Sequence, residues 1–114
     1  MIRNLTPVFA AMTVMAFCVS ARAQTVEVKD RGPVDISKWF ACTDTPRSSI
    51  IRRVCYDKPK RYILIKRNET WEHHCEIGEP VLTQLLTADS AGTYYNRFIR
   101  GGPYDCRLHR PPLY

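Results

Sequence analysis

The chain has 114 residues, a formal charge of +6 and five cysteines. That length holds one domain with a small core and excludes a multidomain enzyme. The basic excess favours anionic neighbours without naming one, and Gly-x-Ser-x-Gly, phosphate-cradling glycine loops and His-Glu-x-x-His are all absent from the sequence.

Residues 1–23 read as a signal peptide. Arg3 supplies the positive start, Val8 to Val19 a mostly apolar run too short to span a bilayer, and Ala21-Arg22-Ala23 a small-x-small cleavage site. Phe17 before Cys18 disfavours lipid attachment. Cleavage would leave 91 residues, with 15 basic and 11 acidic side chains. It would also turn an odd cysteine count into an even one. Cys42, Cys55, Cys75 and Cys106 then predict two disulfides in a periplasmic or secreted protein, and no pair has the Cys-x-x-Cys spacing of a metal site.

Residues 24–47 read as a polar, flexible leader followed by a strap pinned by Cys42, with Trp39 and Phe40 buried against a sheet. Ser49 to Tyr56 is the first predicted strand, with Ile50, Val54 and Tyr56 on one side. Asp57-Lys58-Pro59-Lys60 is turn chemistry. Arg61 to Arg67 is rich in β-formers, and Asn68-Glu69 makes the next turn. Thr70 to Ile77 alternates, with Trp71, His73, Cys75 and Ile77 on one face and Glu72, His74 and Glu76 on the other; His74 is expected exposed.

Pro80 to Ala88 is a helix with proline in its first turn and Val81, Leu82, Leu85 and Leu86 as its buried stripe. Ser90 caps a second helix, in which Tyr94, Tyr95, Phe98 and Ile99 form one apolar face. Gly101, Gly102 and Pro103 stop it. Tyr104 to Leu108 is a candidate closing strand, and residues 109–114 are a C-terminal tail. The expected fold is α+β: a small antiparallel meander of three or four strands, two short helices packed on one face, stabilised by disulfides. In a meander the first and third strands lie about 9.6 Å apart, too far for a Cys55–Cys75 bond. Two connectivities survive. Cys42–Cys75 with Cys55–Cys106 is preferred over Cys42–Cys55 with Cys75–Cys106, because a closing strand beside the first would bring Cys106 to Cys55.

The run Ser90, Gly92, Tyr94, Tyr95, Asn96, Ile99, Arg100 and Gly101, followed by Pro103 and Tyr104, resembles the KTSC domain, named for the C-terminus of some lysyl-tRNA synthetases. Ser48-Ser49-Ile50-Ile51 and Val54-Cys55-Tyr56-Asp57 resemble the opening strand of that family, and the resemblance spans residues 48–108. Where family members carry a central Tyr-x-Tyr, this chain reads Glu72-His73-His74. The resemblance implies no established activity; RNA binding has been suggested for the family.

The residues themselves point away from catalysis. Strand neighbours face opposite sides, so His74 cannot activate Cys75, and disulfides would remove the thiol. For the same reason His73 and His74 cannot both join one metal site with His109. We expect no enzyme activity, metal or cofactor. Arg52, Arg53, Lys60, Arg61, Arg97 and Arg100 are the candidate binding residues, a surface for an envelope protein or an anionic polymer such as lipid headgroups or glycans. Nucleic acid is the alternative partner, disfavoured by export. Asn96, a poor helix former in mid-helix, is expected to make a specific side-chain hydrogen bond.

Overall fold

The computed structural model describes Thr13 and residues 24–114. The signal-peptide reading of residues 1–23 falls almost wholly outside them. The six strands are β1 (Thr25–Val28), β2 (Gly32–Asp35), β3 (Ala41–Asp44), β4 (Ile51–Asp57), β5 (Tyr62–Arg67) and β6 (Thr70–His74). They form one sheet in the order β2-β1-β6-β5-β4-β3. All neighbours are antiparallel except β1 and β6, which meet in parallel at Val28 and Trp71.

The central meander β4-β5-β6 matches the expectation, and its turns have the anticipated causes. Asp57 Oδ1 accepts from the Lys60 amide at 3.3 Å across the β4–β5 turn. Asn68 takes φ 53° in the β5–β6 turn, which asparagine tolerates better than most residues. A bulge between Ile51 and Arg53 lets Ile51, Val54 and Tyr56 share a face.

The sheet is larger than the predicted three or four strands. Residues 24–33 are no flexible leader: β1 and β2 form a hairpin, and β3 pairs with β4. Val28, Val34 and Ile36 from the hairpin side pack with Cys55, Tyr62 and Leu64, so the sheet curls back over its own second face. The other face carries the helices, over Ile51, Val54, Tyr56, Ile63, Ile65, Ile77, Leu85, Tyr95 and Ile99. Tyr62 to Leu64 and Ile65 are therefore buried on both sides, which explains an apolar run where one solvated face would demand alternation. β6 ends early because Glu76 takes φ 60°; the chain rotates there and sends Ile77 to the helix side while Cys75 stays on the other.

Helix α1 (Glu79–Thr87) starts with Pro80 in its first turn and buries Leu85; Leu86 remains partly exposed. Helix α2 (Ala91–Tyr94) is capped by Ser90, whose Oγ accepts from the Thr93 amide at 3.2 Å. It widens into a π-helical turn, Tyr95–Ile99, closed by the Arg100 amide donating to the Tyr95 carbonyl at 2.9 Å. Gly101 makes the left-handed stop at φ 74°. Gly92 is where this helix touches the sheet: a Cβ there would lie 3.2 Å from Ile50 Cδ1. The widened turn buries Tyr95 and Ile99 but leaves Phe98 54% exposed, beside Tyr94 at 4.9 Å between ring centroids.

The disulfides are Cys42–Cys55 and Cys75–Cys106. Cys55–Cys75 is excluded as expected, since β5 separates their strands. The preferred connectivity is wrong, because the closing strand it required does not form. Residues 104–108 run through turns, and β3 takes the edge of β4, placing Cys42 directly opposite Cys55 with Cα atoms 4.0 Å apart. The burial expected of Trp39 and Phe40 holds for half the pair. Phe40 packs against Tyr62 at 6.2 Å, whereas Trp39, at φ 66°, is 68% exposed.

Candidate functional site

Because β1 pairs with β6 only at Trp71, the sheet opens along the rest of β6. The Lys29 amide closes one end of the opening on the Trp71 carbonyl, and the Cys75 amide closes the other on the Tyr104 carbonyl, at 2.9 and 2.8 Å. Between them lies a cleft of about 430 Å³, walled by Glu72, His73 and His74, by Tyr95 and Arg100, and by residues around the Cys75–Cys106 bridge. The site thus holds the Glu72-His73-His74 run singled out in the sequence.

On the helix side, four residues form a chain. Arg67 donates from Nη2 and Nε to the two carboxylate oxygens of Glu72, at 2.8 and 3.2 Å. The Tyr95 hydroxyl donates to Glu72 Oε2 at 2.5 Å, and His74 Nε2 lies 2.9 Å from the same hydroxyl. Tyr95 has one proton and spends it on Glu72, so His74 donates from Nε2. Burial alone would raise the Glu72 carboxyl, but the hydrogen bonds from Arg67 and Tyr95 outweigh it and hold the group below the usual range. Burial, then the hydrogen bond it donates to the Glu72 carboxylate, pushes Tyr95 well above an ordinary phenol. Burial lowers His74 to about 4, despite Glu72 nearby. His74 is therefore a buried, neutral hydrogen-bond donor, not the exposed residue read from strand alternation. Alternation held, but the face it points to is the one that α2 covers.

His73 points to the opposite face. Its Nδ1 lies 2.8 Å from the Tyr62 hydroxyl, and burial, then Arg31, keeps its pKa below the ordinary value. The divergence of the two histidines was legible in the sequence. Among the described residues no cluster of three metal-ligating side chains forms, and all four described cysteines are in disulfides.

The basic candidates do not converge. Arg52 and Arg53 sit at the bulge that opens β4, and Lys60 and Arg61 lie beyond its far end. Four strand residues, Val54 to Asp57, and the turn residues Lys58 and Pro59 separate the pairs, with about 13 Å of strand between them. Arg53 pairs with Asp44 at 3.4 Å and Arg61 with Glu76 at 3.7 Å. Arg97 lies over the Phe98 ring at 5.6 Å on the outer side of the π turn. Arg100 lines the cleft; Lys29, Arg107 and Asp30 line it too and were not among the sequence candidates. Arg107 is engaged by Asp105 at 2.7 Å.

Of the motif residues, Ser90 caps, Gly92 admits Ile50, Tyr95 and Ile99 fill the core, and Gly101 stops the helix. Asn96 is exposed, so the anchoring bond expected of it does not form from a buried position. Asn96→Ala should accordingly shift stability by no more than about 0.5 kcal/mol, read from urea unfolding; a larger loss would restore a structural role.

The sequence match fits this geometry. The KTSC domain matches residues 47–104, just over half of the chain. The chain belongs to the KTSC domain family. No curated protein and no solved structure matches it. The matched KTSC region comprises β4 to β6 and the helices, and contributes the Glu72-His73-His74 and Tyr95–Arg100 walls of the cleft. β1 to β3 and residues 105–114 lie outside it, and each disulfide joins one cysteine inside the match to one outside. Two disulfides fit an oxidising, extracellular compartment. Among the described residues no helix is long and apolar enough to cross a membrane.

Proposed function

We propose that this KTSC protein is an exported, non-enzymatic binding module of the cell envelope, and that its cleft receives an anionic group carried by an envelope polymer. One observation carries the reading. Three of the acid–base groups in the cleft are tied into one chain, Glu72 to Arg67 and Tyr95, and Tyr95 to His74, while His73 is held by Tyr62 and Asp30 lines the rim. Lys29 and Arg100, on the same walls, form no ion pair among the described residues. A satisfied interior with unpaired cations beside it suits recognition of charge.

The test is retention on heparin. The chain should bind at low salt and release steeply by about 0.15 M, where the Debye length is about 8 Å. Replacing Lys29 and Arg100 together with glutamine should lower the eluting salt more than replacing Arg52, Arg53, Lys60 and Arg61 together. Abolition by the fourfold variant alone would move the site to the outer surface, and absence of retention at low salt would leave a protein partner. A second reading, single-stranded nucleic acid, is favoured by the exposed Phe98 ring with Arg97 beside it, a stacking platform with a cation. Tight, salt-resistant binding to one RNA sequence would establish it instead.

A further inference from the structure

Where residues outside the family match meet Asp57 and Tyr62 inside it, the chain builds a second recognition surface and fills it with its own C-terminal segment. Arg110-Pro111-Pro112-Leu113-Tyr114 follows the last disulfide. Each proline fixes its own φ and pushes the preceding residue to extended backbone, so the segment is held straight by its covalent structure. It pairs with no strand. It is held by side chains at two points.

The first is Tyr114. Its ring lies 5.3 Å from Phe40, 6.3 Å from Tyr62 and 6.4 Å from Trp39, the last stacked at 26°. Its hydroxyl donates to Oδ2 of Asp57 at 2.6 Å, and that carboxylate is buried. The second is Arg31, at the β1–β2 turn. Its guanidinium lies 5.3 Å from the Tyr114 ring centroid and 5.1 Å from that of Tyr62, and Nη2 donates to the Pro112 carbonyl. Arg31 Nη1 is buried with no hydrogen-bond partner among the described residues. Leu113, between the two points, is 95% exposed and unread.

A ring in an aromatic slot, a hydroxyl on a buried carboxylate, a carbonyl on an arginine and a free residue between them make a readout of Pro-x-Tyr. Stiff proline segments docked in aromatic grooves bind at low entropic cost. We propose that this groove binds a Pro-x-Tyr segment of a partner protein, and that residues 111–114 occupy it as an internal competitor. The occupant is a polypeptide of this pattern because the seated segment displays the contacts. Its exchange is cheap because no strand pairing has to break. Trp39, held at φ 66° with its ring largely in solvent, forms the open side by which a partner segment enters.

The probe is the hexapeptide His-Arg-Pro-Pro-Leu-Tyr, blocked at both ends, labelled and followed by fluorescence anisotropy. The full chain carrying Tyr114→Ala should bind it at least tenfold more tightly than the unmodified chain, in which the internal segment competes. Changing the peptide tyrosine to phenylalanine should weaken binding about tenfold, the worth of a hydrogen bond to a charged group. Arg31→Met in the Tyr114→Ala chain should remove binding. Should Tyr114→Ala fail to fold, Tyr114→Phe keeps the ring, drops the hydroxyl bond and should show the same rise at smaller size. Equal binding by variant and unmodified chains, or none by either, overturns the proposal and leaves the segment a fixed part of the fold. A dimer of the unmodified chain that the peptide dissociates would assign the groove to a second copy and equally overturn the partner reading.

Discussion

Replacing Cys75 and Cys106 together with alanine lowers stability by about 3–4 kcal/mol and the melting temperature by about 15–25 °C, measured by circular dichroism under non-reducing conditions. The magnitude follows from the 31-residue separation, since closing a longer loop removes more entropy from the unfolded chain. Cys42 and Cys55 are 13 residues apart, which gives about 3 kcal/mol for the second bridge. A chain of this size has a total margin of about 5–14 kcal/mol, so full reduction brings it close to unfolding. The two bridges also differ in what they hold. Cys42–Cys55 reinforces a ladder that backbone hydrogen bonds already define, whereas Cys106 lies in turns and its bridge anchors the segment that walls the cleft. The Cys75/Cys106 variant should therefore also lose heparin retention more than its Cys42/Cys55 counterpart, at temperatures where both remain folded. A loss below about 1 kcal/mol would show that packing around Cys106 holds the segment without the bond.

The sequence made local structure legible and left most of the long-range pairing hidden. Ser90, Gly101, Pro80, Asn68 and Asp57 act as caps, stops and turns through chemistry with near neighbours, and each does what its type dictates. β1 was unreadable because its anchor is a parallel contact with β6, more than 40 residues away, and its exposed residues look like a polar linker. β3 was unreadable because it is four residues long and mostly exposed, with only its antiparallel pairing to β4 to define it, and missing it reversed the disulfide preference. The site was half visible. Divergence of His73 and His74 follows from strand parity, but which side is solvent depends on where α2 lands. Glu72 and Tyr95, the centre of the hydrogen-bonded chain, carried no sequence signal as a pair; only their junction in space identifies them.

Acidification from pH 7 to pH 4 should cost the fold about 3 kcal/mol, and His74→Gln should remove most of that cost. His74 titrates at about 4 in the fold against 6.5 for a free imidazole. Its folded pKa is depressed, so the unfolded chain binds the extra proton across this window. The stability is fully present above about 6.5 and is lost as pH falls toward 4, at about 1.36 kcal/mol per pH unit. Burial is the main cause, and Glu72 and Asp105 act against it while His73 adds to it. His73 is depressed as well and contributes with the same sign, so the variant should flatten the profile without levelling it. Glu72 is also held low, which adds a further loss as pH falls below the ordinary carboxylate range. Protonation leaves Nε2 still able to donate to Tyr95, so the penalty comes from charging a buried ring and not from a broken bond. Glutamine keeps a donor amide for the Tyr95 hydroxyl and has no proton to gain. Urea unfolding at half-unit pH steps reads the effect. Identical slopes for the two proteins between pH 6.5 and 4, or a His74 ring that titrates near 6.5 by NMR, would mean that water reaches the ring and that the cleft opens deeper along β6 than its walls indicate.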